Sequence, residues 1–186
     1  MIIIREVKPQ DISSVIELIR ELAEFEREPK AVVNTKSELN QHIFKDKICN
    51  AIVAEDNNEI IGFALYYNSY STWKGKCLYL EDLYVQEAKR KHGVGALLFE
   101  KIISIAKYQK VRRLEWLVLD WNQPAIQFYK KYGAKLDNSW FWGRCCFFHR
   151  CQLCSGCTRE VLKHLPHLIV HLFQSCHSSL VGVVFH

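Results

Sequence analysis

Glu81 and Asp82 stand side by side inside an otherwise apolar, strand-like run, Leu78 to Val85. A buried carboxylate is costly unless paired or solvated, so these acids read as the lining of a cleft rather than of a core. A structural ion-pair site is the alternative. Further on, Arg90-Lys91-His92-Gly93-Val94-Gly95 leads directly into a helical segment. Glycines at a helix start leave backbone N–H groups unpaired at the positive end of the helix dipole, which suits a phosphate. The spacing matches neither the dinucleotide fingerprint nor a Walker loop, and a tight strand-to-helix turn is the bland reading. Tyr129 shares a helix face with Ala125, Phe128 and Tyr132, so on pattern alone it is a core aromatic with a satisfied hydroxyl.

The elements around these residues follow from periodicity. Alternation along 78–85 puts Leu78, Leu80 and Asp82 on one face and Tyr79, Glu81 and Leu83 on the other. Val94, Leu97, Leu98, Ile102 and Ile105 keep helical spacing through Ala96 to Gln109. Leu114 to Leu119 reads as a second core strand. Asn122 then caps a helix starting near Pro124, and Gly133 suits its end. Upstream, the pattern predicts a strand at Ile2 to Glu6, helices at Asp11 to Glu26 and near Ser37 to Phe44, and strands at Ala51 to Glu55 and Ile60 to Tyr70. The first helix carries Ile12, Val15, Ile16, Ile19, Leu22 and Ala23 on one face, and Asn57-Asn58 marks a hairpin turn.

The chain has 186 residues, 49% of them hydrophobic and 24% charged, enough for one domain with a substantial core. A net charge of +5 without a long basic run argues against nucleic acid as a partner. No apolar run reaches the roughly 18 residues of a membrane span, and Met1 to Ile4 is too short for a signal core. Up to residue 140 the only cysteines are Cys49 and Cys77, which fits a reducing, cytoplasmic setting.

Taken in order, the RxxGxG of Arg90 to Gly95, the helix after it, and the Asn122-x-Pro124 to Tyr129 segment resemble the acetyl-CoA-binding core of the GNAT N-acetyltransferases. Ile19 to Glu26, Tyr70 to Lys76, Tyr79 to Asp82 and Leu119 to Asn122 resemble more narrowly its diamine (spermidine/spermine) acetyltransferase branch. Ser71-Thr72 before Trp73 and Leu119-Asp120 before Trp121 are closer to the members favouring thialysine and related lysine-like amines. The likeness runs from about residue 2 to about residue 140, with residues 141–186 an atypical Cys/His-rich tail.

The resemblance implies an α/β (α+β) fold: a mixed, mostly antiparallel sheet flanked by helices and split between residues 78–85 and 114–119, with the cofactor in the split. It implies acetyl transfer from acetyl-CoA, a cosubstrate, to a primary amine of a small polyamine, diamine or thialysine-like molecule by direct attack, with no metal required. It implies too that Leu83, Tyr84 and Val85 pair with the pantetheine arm, that Arg90 and the amides of Lys91, His92, Gly93, Val94, Gly95 and Ala96 hold the pyrophosphate, and that Asn122 positions the arm. Tyr129 would protonate the departing thiolate and Glu81, directly or through water, would take the proton of the ammonium. Phe25, Glu26, Trp73, Glu81, Asp82, Glu115, Trp116 and Leu117 would contact the amine. A homodimer is usual in the family.

The sequence departs from the family at Lys91, where relatives often have glycine, and after Trp140. There Cys151, Cys154, Cys157 and His149 have a spacing that thiolate-binding metals use, but no second matched ligand pair follows. Phe141 to Phe148 is the remaining candidate for a final strand. An altered C-terminus leaves two other readings: a CoA-binding homologue without turnover, and an enzyme acting on a peptide or protein amine.

Overall fold

The computed structural model describes residues 1–137; the tail motif and the candidate strand at 141–148 lie outside the described residues. The elements run β1 (Ile3–Glu6), α1 (Ile12–Phe25), α2 (Lys36–Phe44), β2 (Asn50–Asp56), β3 (Glu59–Ser71), β4 (Gly75–Val85), α3 (Val94–Tyr108), β5 (Leu114–Glu115) and α4 (Gln123–Lys131). The strands form one sheet in chain order. The first four pair antiparallel and β5 joins β4 in parallel, giving the expected mixed, mostly antiparallel α/β architecture.

Local chemistry sets the boundaries. Asn57 and Asn58 both take positive φ, 51° and 67°, the combination a two-residue turn between twisted strands requires. Thr35 caps α2: its hydroxyl accepts the Glu38 N–H at 3.2 Å while the Glu38 carboxylate accepts the Thr35 N–H at 2.9 Å. Asn122 caps α4 by accepting the Ala125 N–H at 3.2 Å, and Gly133, at φ 76°, follows its end.

Each sheet face carries a core. On one, Val15, Ile16 and Leu18 of α1 and Leu39 and Ile43 of α2 pack on Val53, Phe63 and Leu65. The expected α1 stripe is thus extended by Leu18, while Ile19 and Leu22 are only half-buried. On the other face, Leu98, Phe99 and Ile102 of α3 pack with Ile52, Ala64, Tyr66, Leu78 and Leu80. Each such large side chain contributes about 1.5–3 kcal/mol of burial. At the sheet's edge Asp11, 5% exposed, accepts from Arg5 at 2.6 and 3.0 Å, and Arg5 Nε reaches Glu55 at 2.6 Å.

Two expectations are corrected. The strand expected over Leu114 to Leu119 is a two-residue pairing, Leu78 with Leu114 and Tyr79 with Glu115. Beyond it, Trp116 leaves the ladder to pack on Phe99 and Tyr129, with ring centroids 5.4 and 4.7 Å apart. Strict alternation along β4 also fails. Its pairing with β3 steps from Leu65–Asp82 to Tyr66–Leu80, which leaves Glu81 as an extra, bulged residue. Leu83 consequently joins Leu78 and Leu80 in the α3-side core instead of opposing them.

Candidate active site

The bulge and the short β5 together open the sheet. From Leu80 onward β4 has no partner on its β5 side among the described residues, and its backbone edge faces a cleft of about 630 Å³. Leu22, Phe25 and Glu26 of α1 line it, as do Glu81, Asp82, Leu83, Tyr84 and Val85 of β4. The other walls are Arg90, Lys91 and the start of α3 (Gly93, Val94, Gly95, Ala96), then Trp116 and Leu117, then Asn122 and Tyr129. These groups are spread over residues 22–129 and meet only because the sheet splits.

The loop before α3 is shaped by two left-handed residues, Lys91 at φ 67° and Gly93 at φ 81°. The first helical bond of α3 runs from the Leu97 N–H to the Gly93 oxygen at 3.0 Å, so the Val94, Gly95 and Ala96 amides precede it at the helix's positive end. At Gly95 an added Cβ would make only ordinary contacts with Leu83 and Val85, at 3.9 and 4.0 Å. Arg90 donates from Nε to the Val85 carbonyl at 2.9 Å, and its guanidinium lies 4.9 Å from the Phe25 ring centre and 5.2 Å from that of Tyr84. A guanidinium held in this way, and also by the Tyr84 hydroxyl, can face an anion. An open strand edge, a helix start and a fixed arginine fit an elongated, pyrophosphate-bearing ligand.

At the other end lie the acids. Burial, then Glu81, then Glu26 push the Asp82 carboxyl up to about 7, far above the ordinary range for an aspartate. The Glu81 carboxylate contributes, after burial, to holding the Tyr67 hydroxyl up at about 12 and to raising the Cys49 thiol. Tyr129 sits in an aromatic cage of Phe99, Trp116 and Phe128, at ring distances of 5.2, 4.7 and 5.1 Å. Burial first and the Asp82 charge second push its hydroxyl up to about 12. The cleft therefore holds a carboxyl that titrates near neutrality and a phenol that stays protonated.

Three of the residues expected at the site do not line the cleft. Trp73 lies at the β3–β4 hairpin end, 81% exposed, His92 points out of the loop as an exposed residue, and Glu115 pairs with Arg113 at 2.9 Å. Conversely, Leu22, Leu80, Val118, Leu119, Pro124, Ala125, Phe128 and Lys131 line it without having been singled out. Their signal is tertiary: Leu80 is a core side chain and Leu22, Val118, Ala125 and Phe128 are half-buried, whereas Leu119, Pro124 and Lys131 are exposed at the opening.

Comparison with known proteins gives a consistent picture. The model of the acetyltransferase (GNAT) family matches residues 14–134. A thialysine N-epsilon-acetyltransferase of Caenorhabditis elegans is 40% identical over 123 residues, 66% of this chain and 76% of that protein. One of Bos taurus is 36% identical over 143 residues, 72% of this chain and 84% of the relative. Among solved structures, an aminoglycoside acetyltransferase from an uncultured soil metagenomic sample superposes with a TM-score of 0.67 over 78% of this chain and 97% of its own. Its 17% identity makes that a likeness of fold alone.

Proposed function

The chain belongs to the acetyltransferase (GNAT) family, and we propose that it moves an acetyl group from acetyl-CoA to a primary amine of a small polyamine, diamine or lysine-like molecule. The carrying observation is that one cleft joins the helix-start anion cradle to Tyr129 and the Glu81–Asp82 pair.

Acetyl-CoA supplies the activated thioester carbonyl. In this reading Arg90 and the amides from Lys91 to Ala96, His92 included, hold its pyrophosphate. The free edge at Leu83, Tyr84 and Val85 pairs with the pantetheine arm, and Asn122 positions it. Phe25, Glu26, Trp116 and Leu117 border the amine. An alkyl ammonium, with a pKa of about 10, must lose a proton before its nitrogen can attack. Glu81 takes that proton directly or through water. Asp82, pushed up to about 7, is the neighbour on which it can rest. Tyr129, held at about 12, keeps its own proton for the departing sulfur. The ammonium thus loses two protons, one to the carboxylates before attack and one from the nitrogen as the tetrahedral intermediate collapses; the phenol protonates the departing sulfur and regains its proton from the second, and the carboxylates release the first to solvent.

A cytoplasmic homodimer completes the proposal. Tyr70 and Trp73, 78% and 81% exposed at the hairpin end, offer a second copy apolar surface, and pairing there is the route by which Trp73 would reach an amine site. Release of CoA thiol from acetyl-CoA with spermidine, putrescine and thialysine, for the wild type and for Tyr129→Phe and Glu81→Gln, tests the function. Turnover lowered in both variants is expected; turnover with none of the amines would overturn it.

A further inference from the structure

The C-terminal end of α1 carries a charged residue where the backbone favours glycine. The Arg27 N–H bonds to the Glu24 oxygen at 3.0 Å and the Glu28 N–H to the Ala23 oxygen at 2.8 Å, the paired bonds of a Schellman ending, with Arg27 at its left-handed position, φ 66°. Glycine occupies that position without a Cβ penalty, so arginine carries a modest backbone cost there, as Lys47 and Lys110 do at φ 53° and 54°. The Arg27 guanidinium lies 5.0 Å from the Trp121 ring centre, and Trp121 packs on Phe25 at 5.6 Å. Phe25 lines the cleft. Arg27 makes no ion pair among the described residues. Its neighbour Glu26 also lines the cleft and is near enough to Asp82 to raise its pKa. A cation held over Trp121, one ring removed from the cleft-lining Phe25 and next in the chain to Glu26, therefore stands beside a cleft whose interior is acidic.

Resting on the acetyl-transfer reading above, we propose that Arg27 is a specificity residue that receives the carboxylate of an amino-acid substrate whose side-chain ammonium enters toward Glu81 and Asp82. The charges are ordered as in a lysine-like molecule, cation inward and anion at the rim. Guanidinium and carboxylate match in geometry and make charge-assisted hydrogen bonds, and stacking on Trp121 orients the fork before the substrate arrives. A diamine of the same length places a second ammonium against Arg27 and is disfavoured by like charge. The amines separate by the group they carry at the far end.

The test compares kcat/KM for matched pairs that differ only in the carboxylate, thialysine with its decarboxylated diamine and ornithine with putrescine. The wild type is measured beside Arg27→Gln, Arg27→Lys and Arg27→Gly. In the wild type the amino acids are expected to be preferred. The preference falls roughly tenfold in Arg27→Gln, mainly through KM for the amino acid, and is largely retained in Arg27→Lys. Arg27→Gly is the control for folding, because glycine relieves the left-handed strain: its melting temperature holds or rises while the preference is lost. Preference unchanged in Arg27→Gln and Arg27→Gly, or both members of a pair falling together, overturns the assignment while leaving acetyl transfer standing. Turnover of neither member by the wild type overturns acetyl transfer and this assignment with it.

Discussion

Asp82 and Tyr129 titrate as neighbours: burial first, and the Asp82 carboxylate second, hold the Tyr129 hydroxyl at about 12, while Asp82 itself is pushed up to about 7. The coupling has a direction useful for acyl transfer. When Asp82 takes up a proton its charge disappears, and the Tyr129 phenol becomes a better donor at the moment the leaving sulfur needs one.

Asp82→Asn removes that charge. The Tyr129 pKa is expected to move down, read as an earlier rise of tyrosinate absorbance on alkaline titration. In the proposed reaction Glu81 takes the proton and Asp82 can receive it in turn only when ionised, so kcat is expected to rise as pH passes about 7. The variant should lose that limb; a limb that persists at the same pH would assign it to another group.

Tyr129→Phe keeps the ring against Phe99, Trp116 and Phe128 and removes only the hydroxyl. Its melting temperature should stay close to that of the wild type, and kcat should fall by about 10²–10⁴, the span ordinary for a positioned proton donor. Loss of both fold and activity would mean that the hydroxyl is structural.

Gly95→Ala separates folding from binding. Its methyl meets Leu83 and Val85 only at ordinary contact distances, so stability should change by less than about 0.5 kcal/mol. If, as proposed, a pyrophosphate approaches the α3 amides, the methyl crowds it, and the Kd for CoA measured by calorimetry should rise at least several-fold. An unchanged Kd would place the phosphates elsewhere.

Asp11→Asn probes the pair behind α1. Hydrogen bonding from Arg5 holds the Asp11 carboxyl below its usual range against the cost of burial. A lowered folded-state pKa gives stability that is present above the unfolded value of about 3.9 and is lost as pH falls through the folded one. The variant should therefore be about 2 kcal/mol less stable at pH 7. Denaturant melts should show the difference shrinking below pH about 4.

The parts of this molecule legible in its sequence are those governed by neighbours along the chain. The hairpin at Asn57-Asn58, the Asn122 cap and the apolar face of α1 follow from local chemistry. So does the capping box of Thr35 and Glu38, which starts the helix at Lys36, one residue before the expected Ser37. The bulge at Glu81 has no local mark: Leu-Glu-Asp-Leu alternates well enough to pass for a regular strand, and only the β3 register reveals the extra residue. Leu114 to Leu119 likewise has strand composition, and its departure after Glu115 is decided by Phe99 and Tyr129, distant in sequence. The contact of Arg27 with Trp121 belongs to the same class.

The sheet's two faces give this protein a division of labour that descent can exploit. Leu22, Phe25 and Glu26 reach the cleft from α1 on one face, whereas Gly93 to Ala96 and Tyr129 reach it from α3 and α4 on the other. If the proposed reaction holds, changes near the end of α1 would exchange one amine for another while the residues that hold the acyl donor, anchored in a separate core, stay as they are.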